Sequence, residues 1–334
     1  MRIAVIGAGN WGTALAIHAA RAQHEVAIWS RNRSVVESLN ENHFNSSYLT
    51  GIEIPETVIA TSELDLAIND VELIILASPS QAVRGLLVQM APKMKSQMIL
   101  ASATKGIEIE SGKRISEIVD EVIEAAARPR FVCLSGPSFA KEVVQKHPTA
   151  VVAAGNNAES RELVQSALSF ENLRIYTNDD LVGTELGGSV KNVIAIAAGM
   201  VSGLGFGSNS IAALITRGLA EISRLALSQG AKVETMMGLA GLGDLVLTCT
   251  GSLSRNRFVG EELGKGRSLD DITSGMHEVA EGVKTTLAVK RLADKLEVEM
   301  PITNEVHAVL YERKLVKDAV SRLMARPLRT ESIQ

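Results

Sequence analysis

The sequence predicts an α/β fold, in which a doubly wound, mostly parallel N-terminal sheet is followed by an all-α C-terminal domain. Short β-branched runs alternate with helical patterns in the first half of the chain, as expected for βαβ units covered on both faces. The strand signal ends after LRIYT (173–177), and the periodicity is helical from Leu181 onward. We therefore predict two domains, 1–180 and 181–334.

The predicted strands are short apolar runs, with helices expected near 11–22 and 111–127 between them. Their alternation with helices predicts a mostly parallel sheet. The strands are RIAVIG (2–7), EVAIWS (25–30), VIAT (58–61), VELIILAS (71–78), QMILASA (97–103), RFVCLSG (130–136), TAVVAAG (149–155) and LRIYT (173–177).

Helices joined by glycine-rich turns such as GLAGLGD (238–244) are predicted in the C-terminal half. The apolar stretch from Val193 to Ile215 has the length of a membrane span, but GLGFGSNS (203–210) interrupts it, so we expect no stable membrane insertion. The predicted helices are 183–201, 209–229, 254–264, 282–296 and 302–312.

Composition narrows the class of partner. A net charge of −4, without a basic stripe interleaved with aromatic residues, argues against nucleic acid and favours a small-molecule ligand.

Cys133 and Cys249 form no CxxC pair and the six histidines show no metal-ligand spacing, so we expect no metal, no disulfide framework and a cytoplasmic location. The chain opens with a buried-strand pattern instead of a signal peptide, so export is not expected.

GAGNWG (7–12) matches the G-x-G-x-x-G pattern of dinucleotide-binding, Rossmann-like domains. It follows a predicted strand and opens a predicted helix, so backbone N–H groups and the helix dipole can hold a pyrophosphate. Gly7 permits the tight turn, Gly9 the close approach of a phosphate, and Gly12 the packing of helix on strand. The alternative is a glycine-rich turn without a ligand.

The end of the second predicted strand bears on the choice of cofactor. An NAD-preferring domain usually has an acidic residue there, which binds the ribose 2′-hydroxyl. This chain instead has WSRNR, and Arg31 and Arg33 could bind a 2′-phosphate. NADP(H) is therefore favoured, NAD(H) stays possible, and the alternative is a solvated loop with two surface arginines.

Two further motifs stand at predicted strand ends, where open α/β sheets bind ligands. SATK (102–105) matches the S-x-x-K of penicillin-recognising enzymes but lacks their partner motifs, and GPSFA (136–140) resembles a nucleophile elbow without its second glycine. We interpret Lys105, Gly136 and Ser138 as substrate or cofactor contacts, and the alternative is ordinary turn chemistry.

A polar cluster in the helical half indicates an anion site. In GLGDLVLTCTGSLSRNRF (241–258), Ser252 or Ser254 could cap a helix that begins near Arg255. A capped helix start with arginines nearby favours a phosphate-bearing substrate. The alternative is a polar helix start with surface arginines.

Lys191 is the single formal charge between Leu186 and Thr216. Burying an ammonium without a partner is costly unless its pKa falls. The residues at i−4 and i−3 are glycines, so a substrate or a backbone could approach the ammonium closely. A desolvated lysine near other cations exchanges protons near neutral pH, and Asp244 could orient it. The alternatives are snorkelling to water and a purely structural ion pair.

Together these motifs resemble the bacterial-type NAD(P)-dependent glycerol-3-phosphate dehydrogenases over nearly the whole chain. GPSFA combined with LGGSVKNV is the most specific part of the resemblance. It implies reversible hydride transfer between NAD(P)H and dihydroxyacetone phosphate, giving sn-glycerol 3-phosphate for phospholipid synthesis, in a cytoplasmic homodimer. The matching motifs are GAGNWGTALA, SATKGIE, SGPSFAKEV, PTAVV, ELGGSVKNVIAIAAG, GLGDL, SRNR and VAEGVKT.

The resemblance also implies roles for single residues. Lys191, the lysine of GGSVKN, matches the family's proton donor and acceptor and is the expected catalytic residue. The expected substrate positions are Lys105, Gly136, Ser138, Lys191, Asp244, Ser254, Arg255 and Asn256, with Asn192 and Thr248 as weaker matches. The expected cofactor positions are Gly7, Gly9, Asn10, Trp11, Gly12, Arg31, Arg33, Tyr48, Lys105, Ala140, Arg255, Val279 and Glu281.

Two other hypotheses fit parts of the pattern. A β-hydroxyacid or ketopantoate-type reductase would also have the glycine motif and a helical lysine, although a carboxylate substrate needs fewer cations than SRNR supplies. A non-catalytic NADPH-sensing protein would bind the nucleotide without oxidising it, but a partner-binding surface would favour exposed aromatic or aliphatic anchors over Lys191 on a bare face.

Overall fold

The computed structural model describes residues 1–276, 280–328 and 330–331. The chain divides into two compact units. Unit 1 comprises Met1–Thr104 and Ile115–Leu181, and unit 2 comprises Lys105–Arg114 and Val182–Gln334. The predicted domains are 1–180 and 181–334. The predicted N-terminal domain contains Lys105–Arg114, whereas in the structure this segment belongs to unit 2.

Unit 1 is built on an eight-stranded sheet whose first six strands are parallel. The strands are β1 (Arg2–Ile6), β2 (Glu25–Trp29), β3 (Val58–Thr61), β4 (Leu73–Leu76), β5 (Ile99–Ser102), β6 (Arg130–Ser135), β7 (Thr149–Ala154) and β8 (Leu173–Asn178). Their order is β3-β2-β1-β4-β5-β6-β7-β8, so the predicted doubly wound, mostly parallel sheet is confirmed.

Strand β7 reverses direction. It pairs antiparallel with β6, and β8 then pairs parallel with β7. Antiparallel strands can be joined without a crossover helix, whereas parallel strands are usually joined through one. The connection from β6 to β7 contains only a five-residue helix, Ala140–Val144, whereas the eleven-residue helix Ala158–Leu168 lies between β7 and β8.

Helices cover both faces of this sheet. Alternate residues of β1 enter different cores: Ile3 and Val5 pack with the helices on one face, and Ala4 and Ile6 with those on the other. The helix predicted near 111–127 is shorter than expected, Ile115–Val122, and its expected first residues belong to the segment Lys105–Arg114 of unit 2. The helices are α1 (Asn10–Arg21), α2 (Arg33–Glu41), α3 (Leu64–Ala67), α4 (Val83–Met90), α5 (Ile115–Val122), α6 (Ala140–Val144) and α7 (Ala158–Leu168).

The described part of unit 2 from Val182 onward is helical, and each helix predicted there lies within two residues of an observed one at both ends. GLAGLGD is not a simple turn, because Leu239–Gly243 forms a π-helical turn that leads into another helix. The helices are α8 (Leu181–Gly203), α9 (Ser208–Ser228), α10 (Val233–Met237), α11 (Asp244–Thr250), α12 (Arg255–Gly264), α13 (Leu269–Ser274), α14 (Glu281–Lys295), α15 (Pro301–Tyr311) and α16 (Val316–Met324).

Helix α8 is the central element of unit 2. By length and composition it is the one helix of the described chain that could cross a membrane, with a mean hydropathy of 1.2 over 18 residues. However, 89% of that window is buried inside the protein. Val190, Val193, Ile194 and Ile196 are all fully buried in the helical core, so the apolar composition of α8 serves packing.

Candidate active site

The turn between β1 and α1 is the predicted dinucleotide loop, and its three glycines have different surroundings. Gly7 has φ +120°, and a Cβ there would lie 2.7 Å from the carbonyl oxygen of Ala77. A Cβ on Gly12 would lie 1.8 Å from the Gly7 carbonyl oxygen, so α1 packs directly against the strand end. At Gly9, by contrast, no atom of the described residues other than Gly9 and its two chain neighbours lies within 4 Å of the Cβ position.

These surroundings fit a bound pyrophosphate. Gly9 leaves open space beside the loop, and α1 begins at Asn10 after a glycine that brings no capping side chain. The backbone N–H groups at an uncapped helix start are donors for an anion. Trp11 and Tyr48, two further expected cofactor positions, are half-buried in the same unit.

Arg31 and Arg33 follow β2 at the edge of the sheet that carries the glycine loop. The N–H of Gly7 donates to the carbonyl of Trp29, the last residue of β2, at 3.1 Å. Arg33 opens α2, whose N-cap Asn32 accepts a hydrogen bond from the Ser34 N–H. Both arginine side chains are exposed, so they are available to a ligand phosphate at this edge.

Gly136, Ser138 and Ala140 lie in unit 1 at the carboxyl end of β6. Gly136 has φ +133°, and a Cβ there would lie 3.0 Å from Cα of Val151 in β7. The Ser138 hydroxyl donates to the Gly136 carbonyl at 3.1 Å, and Ala140 is the first residue of α6. The predicted location at a strand end is confirmed, and it is the edge at which open α/β sheets bind ligands.

The polar centre of unit 2 consists of two lysines that share one buried carboxylate. Lys191 of α8 donates through Nζ to Oδ1 of Asp244, and Lys105 donates to Oδ2 of the same side chain at 2.6 Å. Lys191 also donates to the Thr248 hydroxyl at 2.8 Å, and that hydroxyl donates to the Asp244 carbonyl at 2.6 Å. The cluster therefore carries two potential positive charges against one negative charge.

Burial and repulsion together weaken the hold of Lys191 on its proton. Lys191 is 5% exposed and Asp244 is 1% exposed, so snorkelling to water does not occur. Burial lowers the pKa of Lys191 to about 7, Asp244 opposes this shift, and repulsion from Lys105 reinforces it. The Lys105 side chain, at 19% exposed, is the more accessible of the two cations.

The π-helical turn places Asp244 beside Lys191. A Cβ on Gly187 of α8 would lie 2.7 Å from the carbonyl oxygen of Ala240, so the turn packs backbone against backbone on α8. Asp244 follows as the first residue of α11. The bare face predicted near Lys191 is thus occupied at Gly187 by protein backbone. Single π-helical turns are often found at functional sites.

A second polar group links three helices of unit 2. Asn256 of α12 donates to the Asn192 side-chain oxygen on α8 at 2.9 Å, and its own oxygen accepts the Gly282 N–H of α14 at 2.9 Å.

Of the two serines predicted as caps, Ser254 is the N-cap of α12 and its hydroxyl accepts the Arg257 N–H, whereas Ser252 is exposed. The predicted helix start is confirmed.

Two of the remaining expected positions, Arg255 and Glu281, are the first residues of helices. Arg255 is the exposed first residue of α12, and Glu281 is the half-buried first residue of α14. Val279 lies outside the described residues. Cys249 is buried near Lys191, and burial raises the pKa of its thiol to about 12, so it has no thiolate character at neutral pH.

The sequence analysis missed an ion pair that holds the segment Lys105–Arg114 within unit 2. Arg114 donates to the Glu185 carboxylate of α8 at 2.7 Å, and both side chains are largely buried. Ile107, between Lys105 and Arg114, is fully buried in the helical core. No periodicity marks this segment, because its order comes from contacts with residues that are distant in sequence.

Comparison with known sequences gives two family matches that together span most of the chain. Residues 2–161 match the N-terminal region of NAD-dependent glycerol-3-phosphate dehydrogenase, and residues 180–321 match its C-terminal region.

Individual relatives agree with these matches. The chain is 52% identical to the glycerol-3-phosphate dehydrogenase (NAD(P)+) of Koribacter versatilis over 332 residues, which cover 99% of this chain and 98% of that protein. It is 47% identical to the enzyme of the same name from Leptospira biflexa over 333 residues, with 100% of both chains covered. The crystal structure of glycerol-3-phosphate dehydrogenase from Coxiella burnetii superposes with a TM-score of 0.94 at 40% identity, covering 97% of this chain and 99% of that one.

Proposed function

The chain belongs to the NAD-dependent glycerol-3-phosphate dehydrogenase family, and from this membership we propose how it acts. It is an NAD(P)-dependent oxidoreductase that reduces dihydroxyacetone phosphate reversibly to sn-glycerol 3-phosphate. Lys191 is the residue that exchanges the proton. The observation that carries this role is the buried cluster in which Lys191 and Lys105 share the carboxylate of Asp244.

In the direction of reduction, the Lys191 ammonium donates a proton to the carbonyl oxygen of the substrate. A nicotinamide cofactor, when bound, would supply the hydride to the carbonyl carbon. In oxidation the neutral Lys191 amine takes the hydroxyl proton. Because its pKa is about 7, both forms of Lys191 are populated near neutral pH, which suits a reversible reaction.

The other members of the cluster set the position and charge of Lys191. Asp244 and Thr248 each accept a hydrogen bond from Nζ and so fix its direction. Lys105 shares the carboxylate and therefore limits how strongly Asp244 can hold the proton on Lys191. Lys105 is also exposed enough to contact a ligand, and we assign it to the developing negative charge on the substrate oxygen or to the phosphate.

According to the family pattern, we assign substrate-binding positions within each unit. In unit 2 these are the start of α12, with Arg255, Asn256 and the cap Ser254, together with Asn192. In unit 1, Gly136 and Ser138 follow β6 at the ligand-binding edge of the sheet.

The glycine loop of unit 1 is assigned to the pyrophosphate of the cofactor. Gly7, Gly9 and Gly12 have the surroundings that this role needs. The exposed Arg31 and Arg33 support a preference for NADP(H), with NAD(H) as a second cofactor. The further cofactor positions assigned by the family pattern are Asn10, Trp11, Tyr48, Lys105, Ala140, Arg255, Val279 and Glu281.

The family also supports three proposals about context. The protein acts in the cytoplasm, it forms a homodimer, and its product supplies glycerophospholipid synthesis.

The first test is the oxidation of NADPH and NADH with dihydroxyacetone phosphate, with unphosphorylated dihydroxyacetone as the control substrate. Lys191→Met keeps the length and apolar stem of the side chain but removes the proton donor. We expect it to lower kcat by about 100-fold or more, which is the usual contribution of general acid catalysis. NADPH binding should stay within a few-fold of wild type, because the glycine loop belongs to the other unit.

The matched control for Lys191→Met is Lys317→Met, which changes an exposed lysine of α16 and should leave every parameter unchanged. A Lys191→Met enzyme with a wild-type rate would overturn the role of Lys191. Equal turnover of phosphorylated and unphosphorylated substrate would overturn the assignment of a phosphate site.

A second test concerns the cofactor. Arg31→Ala combined with Arg33→Ala should raise KM for NADPH by about tenfold or more and change KM for NADH little, because the two cofactors differ in the 2′-phosphate. The ratio of the two kcat/KM values measures the effect. An unchanged ratio would show that these arginines are only solvated surface residues.

A further inference from the structure

We propose that Asn45 is a positioning residue for the dinucleotide loop. Its side chain fixes the carbonyl of Ala8, and through that peptide it fixes the direction of the Gly9 N–H. The same side chain holds the backbone of Tyr48. The inference rests on the nucleotide-binding function proposed for GAGNWG and uses only residues of unit 1.

Asn45 lies between α2 and β3 and uses both ends of its amide. Its Nδ2 donates to the Ala8 carbonyl at 2.9 Å and to the Thr13 hydroxyl at 2.9 Å. Its Oδ1 accepts the N–H of Ser47 at 3.1 Å and that of Tyr48 at 2.9 Å. The side chain is only 2% exposed, so water does not compete strongly for these bonds.

The contact with Ala8 determines the geometry of the loop. In a trans peptide the carbonyl of one residue and the N–H of the next point in opposite directions. The Ala8 carbonyl accepts from Asn45 and also from the Thr13 hydroxyl at 3.3 Å, so the Gly9 N–H is directed away from both. On its other side, the Gly9 carbonyl accepts the Thr13 N–H at 2.9 Å. Gly9 is the glycine whose Cβ position is open, so its peptide is the one that a phosphate would approach.

A second asparagine also connects the glycine loop to the segment 45–49, but its side chain comes from the loop side. Asn10, the first residue of α1, accepts the Leu49 N–H at 2.7 Å through its side-chain oxygen. Leu49 has φ +54°, a left-handed conformation that is costly for a leucine and persists only where the surroundings impose it. We call residues 45–49 the clip, because its two ends are bound to the glycine loop by Asn45 and Asn10.

The base of the clip is closed as well. Phe44 and Glu53 form an antiparallel bridge, and the Ile54 N–H donates to the His43 carbonyl at 2.8 Å. The segments before and after the clip are therefore hydrogen-bonded to each other, and the position of the clip does not depend on a long flexible loop. An ordered clip can transmit its position to the glycine loop, as a supporting layer of hydrogen bonds does in other binding sites.

This arrangement predicts an effect on cofactor binding that is separate from the chemistry. Without Asn45, the Ala8–Gly9 peptide and Tyr48 are no longer fixed before the cofactor binds, so binding itself must order them. The proton-exchanging Lys191 lies in unit 2 and keeps all its contacts. The dissociation constant of NADPH and its KM should rise, and kcat at saturating NADPH should stay the same.

The test is a fluorescence titration of the full-length protein with NADPH, followed by steady-state kinetics with dihydroxyacetone phosphate. Asn45→Ala removes all four hydrogen bonds, and Asn45→Asp keeps the acceptor but loses the donor. Both should raise the dissociation constant by about tenfold or more, since buried partners are left unsatisfied. Thr13→Val removes the second donor to Ala8 and one of the two acceptors of Asn45 Nδ2, and it should raise the dissociation constant a few-fold. For all three variants, kcat and KM for dihydroxyacetone phosphate should stay within about twofold of wild type.

Asn40→Ala is the matched control. Asn40 also uses both ends of its amide, donating to the Ala60 carbonyl at 3.0 Å and accepting the Ala60 N–H at 2.8 Å, but these bonds connect α2 to β3. It should lower thermal stability without changing NADPH affinity.

The possible failures are distinguishable. Wild-type affinity in Asn45→Asp and Asn45→Ala would overturn the inference, and so would the same loss of affinity in Asn40→Ala. If the Asn45 variants do not fold, Thr13→Val decides, and an unchanged dissociation constant in that variant overturns the proposal. A wild-type protein that binds neither NADPH nor NADH would instead overturn the proposed function.

Discussion

Lys191 and Glu221 are both buried in unit 2 and both have a pKa of about 7, but their surroundings differ in kind. At Lys191 burial lowers the pKa, and a second cation, Lys105, competes for the same carboxylate. At Glu221 burial raises the pKa, and the contacts oppose the shift: the N–H groups of Ile302 and Thr303 donate to the carboxylate.

The difference shows that a pKa near 7 does not by itself identify a catalytic group. Glu221 lies on α9 and satisfies two N–H groups in the first turn of α15, so its task is to cap a helix. Loss of its proton strengthens those hydrogen bonds. Loss of the Lys191 proton instead relieves repulsion with Lys105, so that cluster is arranged to release a proton.

The strongest way to test this comparison is Asp244→Asn. The substitution keeps the size of the side chain but removes the negative charge shared by Lys105 and Lys191. Because Asp244 supports the charged form of Lys191, the pKa of Lys191 should fall below about 7. We expect kcat/KM for reduction to fall by about 100-fold or more, and the decline of rate with rising pH to begin at lower pH.

The control for Asp244→Asn is Glu221→Gln, which neutralises the other buried carboxyl. It should leave both the rate and the pH profile unchanged, because Glu221 contacts α15 and not the lysine cluster. A similar loss of rate in both variants would mean that the two regions are not functionally distinct.

Much of the fold could be predicted because strands buried on both faces are visible as continuous apolar runs. All four residues of β4, LIIL, are buried, and VIAT and LRIYT are found where the sequence places strands. The reversal of β7 could not be predicted, because the apolar run TAVVAAG (149–155) predicts a buried strand but does not encode the direction in which that strand pairs. The π-helical turn Leu239–Gly243 was hidden for a similar reason, since glycines predict a turn and only packing on α8 selects its form.

The candidate site was predictable where one residue breaks a strong local pattern. Lys191 was such a residue, as a lone charge in an apolar helix, whereas Gly9 was predictable because it belongs to a known motif. The convergence of Lys105 with Asp244 and the contact of Asn45 with Ala8 join residues 139 and 37 positions apart. No local pattern encodes such distances, and the sequence around Asn45 indicates only a turn.

The smallest expected effect is on the pH dependence of stability, where the two groups should act in opposite directions. Between pH 4.5 and about 7, folded Glu221 holds a proton that the unfolded chain has released, so its contribution to stability is lost as pH rises through this window. Between about pH 7 and 10.5, folded Lys191 lacks a proton that the unfolded chain holds, so stability rises with pH there.

Substituting each residue should abolish the pH dependence of stability in its own pH window. Glu221→Gln should gain about 1–3 kcal/mol of unfolding free energy relative to wild type between pH 4.5 and 7, and Lys191→Met should change its difference from wild type only above pH 7. Because Trp11 and Trp29 both lie in unit 1, tryptophan fluorescence would report on the wrong unit. Hydrogen exchange of the α8 and α15 amides, compared between variant and wild type at each pH, reports on unit 2 directly. If both variants change the same pH window, the two pKa values belong to one coupled network, and Glu221 would then have to be included in the account of the lysine cluster.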